Sequence, residues 1–349
     1  MKIVQVVRRF GRVGGMESYV WNLTSELSKC GYKITVICER CLDEVPEGVV
    51  LVEIGEVTPR PRWLALYRFS AKVQRLLKSG TYQDSLIHSH ERLGVHHITT
   101  FHGPPFARIK DGPLWNRLSL RVLAHLYLER RELLSDNVRA VVPNSALIAR
   151  ELVVYYPGVY GRLYQPIPPG VGVIPKRPQR AVDPSGGVVG FVGKEWKRKG
   201  LNFTLEVLDR LAITRPNIEL LILGPNSEDI RELIVPYGFK IKLIGWESAA
   251  PYYQNMDLLI HPAKREPYGM VVAEAMAAGV PVLVSDKCGV ASDVSETAGC
   301  VLSLDLNPSD WSSVAHRLLS RTATFTHVRS WADVAADYSK IFEDLKLSG

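Results

Sequence analysis

The stretch His261-Pro262-Ala263-Lys264-Arg265-Glu266-Pro267-Tyr268-Gly269-Met270-Val271-Val272-Ala273-Glu274 decides how this chain is read. The apolar run Leu258-Leu259-Ile260 before it predicts a buried strand. Ala273-Glu274-Ala275-Met276-Ala277-Ala278-Gly279, with Pro281 just beyond, predicts a helix stopped by glycine. Glu266 then falls in the loop, and Glu274 lies one to two turns into the helix. Between them, near Gly269, is a helix N-terminus whose free N–H groups favour a phosphate. A carboxylate repels phosphate but accepts hydrogen bonds from hydroxyls. The layout suits a ligand with hydroxyls at both ends and phosphates in the middle, and a nucleotide-sugar has that form.

A chain of 349 residues is long enough for two α/β domains. No apolar run approaches the roughly 20 residues that span a bilayer. The opening Met1-Lys2-Ile3-Val4-Gln5-Val6-Val7 reads as a short strand and not as a signal peptide, so a cytoplasmic location is expected. Five scattered cysteines imply no disulfide framework, and Cys38-Glu39-Arg40-Cys41 has no second pair or histidines at zinc spacing. The net charge of +7 is uneven: residues 1–172 hold 23 Lys+Arg against 15 Asp+Glu, and the remainder 20 against 21. The basic first half implies an anionic partner: nucleic acid, anionic lipid or a phosphorylated glycan.

Outward from the decisive stretch, strands and helices alternate. In the first half, strands are predicted at Ile3–Val7, Ile34–Cys38, Val49–Ile54, Leu86–His88, Ile98–Phe101 and Ala140–Val142. Helices are predicted at Met16–Cys30, Trp63–Lys78, Leu114–Leu134 and Ser145–Tyr155. A proline-rich linker runs from Gln165 to Gly187. The alternation then restarts, with strands at Val188–Val192, Leu220–Leu223, Ile241–Ile244, Leu258–Ile260, Val282–Val284 and Cys300–Leu302. The fold class is α/β, as two Rossmann-like, doubly wound parallel-sheet domains facing across a cleft. The predicted domains are 1–172 and 173–330, with an amphipathic C-terminal helix in 331–349 packing back on the first.

Three further loops carry chemistry. Gly11-Arg12-Val13-Gly14-Gly15-Met16-Glu17 follows the first strand, where glycines allow close approach and a helix start offers N–H groups. It is not the G-x-G-x-x-G fingerprint. Gly193-Lys194-Glu195-Trp196-Lys197-Arg198-Lys199-Gly200 sets four cations ahead of a helix. A solvated basic loop would contain the same residues, but its place after a strand favours phosphate, with Arg198 and Lys199 nearest the helix start. His102, in Thr99-Thr100-Phe101-His102-Gly103-Pro104, and His88 and His90 lie at strand ends, where ligands bind. His102 is placed to hydrogen-bond a sugar hydroxyl or to stabilise developing charge. No D-x-D occurs, so no metal is expected.

Together these residues resemble the retaining family-4 glycosyltransferases of the GT-B fold. The resemblance rests on Gly14-Gly15-Met16-Glu17, on Arg198-Lys199-Gly200, on Glu266 to Glu274 as an E-x7-E signature, and on Trp331–Leu345 as a returning helix. Within that family, His261-Pro262-Ala263, Arg198-Lys199-Gly200 and Cys288-Gly289-Val290 are similar to bacterial lipopolysaccharide core hexosyltransferases. The resemblance implies that Glu274 binds the donor's ribose and Glu266 the transferred sugar. It implies that the N–H groups of Tyr268, Gly269, Met270 and Val271 reach the sugar and diphosphate, and that Arg198 and Lys199 neutralise the leaving diphosphate. Gly14, Gly15 and Gly193 would line the donor site, Gly245-Trp246 the nucleobase, and His102 the reacting carbon. The catalytic set expected is His102, Glu266, Arg198 and Lys199. The co-substrate expected is a UDP-hexose, with no cofactor.

For the acceptor, His90, His102 and Arg108 are the expected contacts. Two basic amphipathic segments, Trp63 to Lys78 and Phe106 to Arg131 (with Arg108, Lys110, Arg117, Arg121, Arg130 and Arg131), suit an anionic membrane surface as well as ordinary core-facing helices. The expected partner is an anionic glycan or glycolipid, a phosphorylated lipopolysaccharide core, met at the cytoplasmic face of the inner membrane. Nucleic acid is not expected, because no aromatic-studded basic module is present. The alternatives are a non-catalytic nucleotide-sugar binder and another GT-B enzyme such as a nucleotide-sugar epimerase.

Overall fold

The computed structural model describes residues 1–117, 119–321 and 328–347. It divides into two compact units, Met1–Gly170 with Ser330–Gly349, and Val171–Arg329. The last two residues of the predicted 331–349 segment lie outside the described residues, as does the side chain of Arg117.

The first unit is built on β1 (Lys2–Val6), β2 (Lys33–Cys38), β3 (Val49–Glu53), β4 (Ser85–Ser89), β5 (Ile98–Phe101) and β6 (Ala140–Pro143). These strands are all parallel, in the order β3-β2-β1-β4-β5-β6. The second unit repeats this order as β9-β8-β7-β10-β11-β12. Its strands are β7 (Gly186–Val192), β8 (Asn217–Leu223), β9 (Lys240–Gly245), β10 (Leu258–His261), β11 (Val282–Ser285) and β12 (Gly299–Leu302). In each sheet the order reverses beside the first strand, so a crevice opens at the carboxyl ends of β1 and β4 in one unit and of β7 and β10 in the other. That topology positions everything below.

Buried parallel strands are apolar on both faces. β10 is buried throughout, and β1 buries Ile3, Val4 and Val6 but also Gln5, a polar residue with no exposure. Helices α1 (Gly15–Lys29) and α2 (Arg62–Leu77) cover the first sheet, and α3 (Leu120–Leu134) and α4 (Ala146–Tyr155) follow. The one helix predicted from Leu114 to Leu134 is split. A 3-10 turn at Leu114–Arg117 precedes α3, whose start is fixed by the Ser119 hydroxyl accepting from Val122 N at 3.3 Å.

The connection from β4 to β5 has only eight residues, 90–97, and no helix. Parallel neighbours usually need a crossover of a dozen or more. α3 supplies the missing cover: Thr99 Oγ1 donates to Glu132 Oε1 at 2.9 Å, and His96 Nε2 lies 2.9 Å from the Glu132 carbonyl. The terminal helix α10 (Trp331–Leu347) buries Val334, Tyr338, Ile341 and Phe342 in the first unit's core. Tyr338 Oη is 3.1 Å from Tyr19 Oη and 2.6 Å from Thr100 Oγ1, which fastens α10 to α1 and β5.

In the second unit, α5 (Trp196–Lys199), α6 (Leu201–Ala212), α7 (Ser227–Ile234), α8 (Met270–Ala278) and α9 (Pro308–Leu319) surround the sheet. The proline-rich segment before β7 is tied down where Arg177 and Arg180 converge on Asp257, at 2.7 and 2.9 Å. All five cysteines are free.

Candidate functional site

In the second unit, β7 ends at Val192, and the chain turns through Gly193 at φ +154° into the single helical turn of α5. A β-carbon at Gly193 would overlap the Lys199 side chain, so glycine is what lets Lys199 fold back over the strand end. Across the crevice, β10 ends at His261 and the chain loops to Gly269, at φ +111°. Gly269 caps α8 with no side-chain hydrogen bond, so the amides of Met270 and Val271 face out uncapped, while Val272 N donates to Gly269 O at 3.0 Å. The loop is pinned from behind: Glu266 N donates to Lys287 O at 3.0 Å, and Val290 N donates to Tyr268 O at 2.8 Å.

Glu266 is the hub. Its Oε2 lies 3.2 Å from Arg198 Nη1, 3.6 Å from Lys199 Nζ and 3.8 Å from His261 Nε2. Burial favours the neutral acid, but His261, Lys199 and Arg198 outweigh it and hold the carboxyl down at about 2. Glu266 is therefore ionised throughout the working range. Arg198 also pairs with Glu195 and donates to the Arg265 carbonyl. His261 is fully buried, and burial lowers its proton affinity while Glu266, facing Nε2, opposes the fall.

Glu274 sits on α8 above this hub. Fully buried Tyr253 donates its hydroxyl to Glu274 Oε2 at 2.8 Å, leaving Oε1 without a hydrogen-bond partner among the described residues. Burial raises the Glu274 carboxyl above its usual range, while Tyr253 and Lys199 oppose the rise. Gly245 closes β9, and Trp246 beyond it is 70% exposed, with Lys194 Nζ 5.2 Å from its ring centroid. The predicted set Gly193, Arg198, Lys199, Glu266, Tyr268, Gly269, Met270, Val271 and Glu274 is thus gathered at one crevice. Tyr253 and His261 join it although the sequence reading assigned them nothing.

The first unit has its own site at the corresponding crevice. Gly14 and Gly15 open α1, with Gly14 in an extended conformation. His90 Nε2 is 2.9 Å from Gln5 Oε1, and His90 Nδ1 is 2.9 Å from His102 Nε2. Tyr19 meets His102 edge-on, with centroids 4.8 Å apart. Burial keeps both rings neutral, His90 well below its ordinary value and His102 down at about 3. Each ring therefore carries one proton. With the Gln5 oxygen facing His90, His90 Nε2 donates to Gln5 and His102 Nε2 donates to His90. His102 Nδ1 is left as a lone pair, an acceptor for a hydroxyl.

A cavity of about 660 Å³ adjoins these histidines, lined among others by His90, Glu91, Arg92, His102, Arg121 and His125. Arg108, expected here, is not in its lining; its Nε is 4.0 Å from Glu151 on α4. Arg108 follows Phe106 and Ala107, whose amides are held by Glu129 at 2.7 and 2.9 Å, and that anchoring turns it away.

The description "Glycosyltransferase Family 4" matches residues 13–173, and "Glycosyl transferases group 1" matches residues 186–321. The chain belongs to glycosyltransferase family 4, it is a glycosyltransferase, and its fold is GT-B. A D-inositol 3-phosphate glycosyltransferase from Segniliparus rotundus is 26% identical over 89% of this chain and 78% of its own length. A GDP-mannose-dependent alpha-mannosyltransferase from Mycolicibacterium smegmatis is 24% identical over 83% of this chain and 80% of its own. In three dimensions the chain is similar to WaaG, a glycosyltransferase involved in lipopolysaccharide biosynthesis, with a TM-score of 0.73, 17% identity, and coverage of 97% of this chain and 95% of that one.

Proposed function

We propose that the protein is a retaining, metal-independent hexosyltransferase. It moves a hexose from a nucleoside diphosphate sugar, UDP-linked by preference, to a hydroxyl of an anionic glycan or glycolipid. The observation that carries this reading is the hub at α8: an ionised Glu266 held by Arg198 and Lys199 beside an uncapped helix N-terminus, with a free oxygen of Glu274 above it. Glu266 accepts hydrogen bonds from sugar hydroxyls and Glu274 from ribose. The α8 amides and the two cations take the diphosphate between them. Exposed Trp246 offers a face for the base.

The acceptor oxygen bonds to the anomeric carbon on the face from which the diphosphate oxygen departs. The carbon–oxygen bond to the diphosphate breaks, and the acceptor's proton passes to the leaving phosphate. With Glu274 committed to ribose, no nucleophile–acid pair of carboxylates is available, and the reading is same-face attack without a covalent intermediate. Arg198 and Lys199 stabilise charge on the leaving group, which is where such a reaction gains most. His102 Nδ1 accepts from a hydroxyl of the transferred sugar and orients it.

The surplus of cations in residues 1–172 supports an anionic acceptor. A relative named for inositol phosphate fits that class, while the finer assignment to lipopolysaccharide core rests on motif resemblance. No helix of the described residues is long and apolar enough to cross a membrane. Leu114, Trp115, Leu120 and Leu123 are exposed beside Arg121, which supports peripheral contact with an anionic inner-membrane surface at its cytoplasmic face.

Incubation with a panel of nucleotide-sugars, measuring released nucleoside diphosphate, tests the transfer. Release from a UDP-hexose is the expected result, and binding without release from any of them would identify a sugar-nucleotide sensor instead. In co-sedimentation at low salt, anionic vesicles are expected to retain the protein and neutral ones are not; equal partitioning removes the membrane reading.

A further inference from the structure

We propose that the cavity at the carboxyl ends of β4 and β5 holds a phosphate subsite for the acceptor, in which Arg62, Arg121 and the Nε2–H of His125 receive a phosphomonoester. This deepens the transfer reading and rests on it.

The argument starts from Arg92. Its guanidinium is 2.9 Å from Glu129 and 3.9 Å from Glu132, and it lies 5.8 Å from the centroid of Phe106. Glu129 has no exposure and also accepts from Phe106 N, Ala107 N and the Tyr156 hydroxyl at 2.7, 2.9 and 2.8 Å, so Arg92 is anchored to a rigid base. Arg92 Nη1 stands 3.1 Å from His125 Nδ1. A guanidinium has only donors, so His125 Nδ1 must accept. Burial, then the charges of Arg92, Arg62 and Arg121, hold the ring down at about 4 and hence neutral. Its one proton is therefore on Nε2. Phe106 lies 4.8 Å from the ring at 34°, which fixes its plane.

His125 is thus a neutral donor of fixed tautomer, ringed by three cations that all line the same cavity. Arg92 is committed to Glu129. Arg62 and Arg121 have no ion pair or hydrogen bond among the described residues. The other carboxyls in the lining offset them only in part: burial pushes Glu91 up to about 7 and Glu132 up to about 8. Two uncommitted forks and one fixed N–H suit a compact dianion with several acceptor oxygens. The subsite shares its lining with His90 and His102, so a phosphate held there presents the rest of its molecule near His102.

The same phosphate chemistry could come from a soluble sugar phosphate or a lipid headgroup, and the experiment separates the two. The full chain is titrated calorimetrically with glycerol 3-phosphate and with glycerol. Glycerol 3-phosphate should bind and glycerol should not. The exposed pair of changes R62Q and R121Q should weaken binding by roughly tenfold or more, and H125F should weaken it too. Equal affinity in the native chain and the R62Q/R121Q variant overturns the subsite. Retention on phosphatidic acid vesicles that needs Arg62 and Arg121, when glycerol 3-phosphate itself does not bind, assigns the phosphate to a lipid headgroup, and binding of neither probe overturns the subsite. These measurements involve no turnover, so loss of binding with the arginines, alongside no nucleotide release, would sink only the transfer reading.

Discussion

Replacing Glu274 with glutamine is expected to raise the Kd for the donor nucleotide-sugar roughly 100-fold. Hydrogen bonds to a charged acceptor contribute about 1.5–3 kcal/mol each, and ribose offers two adjacent hydroxyls. Glutamine keeps the shape but has one neutral acceptor. Its amide also has to settle beside the Tyr253 hydroxyl, which now donates to Glu274 Oε2 at 2.8 Å. Calorimetry measures the change directly, and an unchanged Kd would remove Glu274 from the ribose. The pH dependence gives a second reading. Burial raises the Glu274 carboxyl, and Tyr253 and Lys199 hold it back. The ionised form is the one that accepts, so donor affinity is present above the folded value and is lost as pH falls through it. Tyr253→Phe removes a restraint on the rise, so the acid limb of donor binding should move to higher pH. A residue that only filled space would weaken binding without moving the limb.

The contrast between Glu274 and Tyr253 shows how far the sequence could be read. Glu274 was legible because an apolar run, a loop with glycine and a helix stopped by Gly279 fix its place within a single stretch of chain. The same local logic located Gly193, Lys199 and Glu266, since loops after parallel strands gather at one edge of a sheet. Tyr253 was not legible. It sits in a 3-10 turn, Ala250–Asn255, and only the packing of that turn against α8 brings its hydroxyl to Glu274. Arg92 and Glu129 meet because α3 covers a crossover that has no helix of its own, and no periodicity announces that substitution. Gln5 did leave a signal: one amide inside the run Ile3-Val4-Gln5-Val6-Val7. A polar side chain in a strand buried on both faces needs a partner. The partner, His90, is supplied by a distant strand end, and local pattern cannot name it.

That partnership carries the last prediction. His102→Ala is expected to lower kcat/KM roughly 10- to 100-fold, the worth of one well-placed hydrogen bond to the transferred sugar in a buried site. The Kd of the nucleoside diphosphate alone, which lacks the sugar, should be unchanged. Gln5 never reaches the sugar, yet it sets which nitrogen of His102 is bare, because His90 passes the choice along at 2.9 Å on each side. Gln5→Leu frees both tautomers, so part of the population presents an N–H where a lone pair is needed, and kcat should fall several-fold. Gln5→Glu separates this from simple packing damage. A buried carboxylate beside His90 raises that ring's proton affinity, and once His90 is an imidazolium its Nδ1 must donate to His102. The relay then runs backwards. The Glu variant should therefore lose activity progressively as pH falls below neutrality, while the Leu variant stays flat across the same range. Parallel pH profiles for the two variants would show that Gln5 supports the strand and does not set the His102 tautomer.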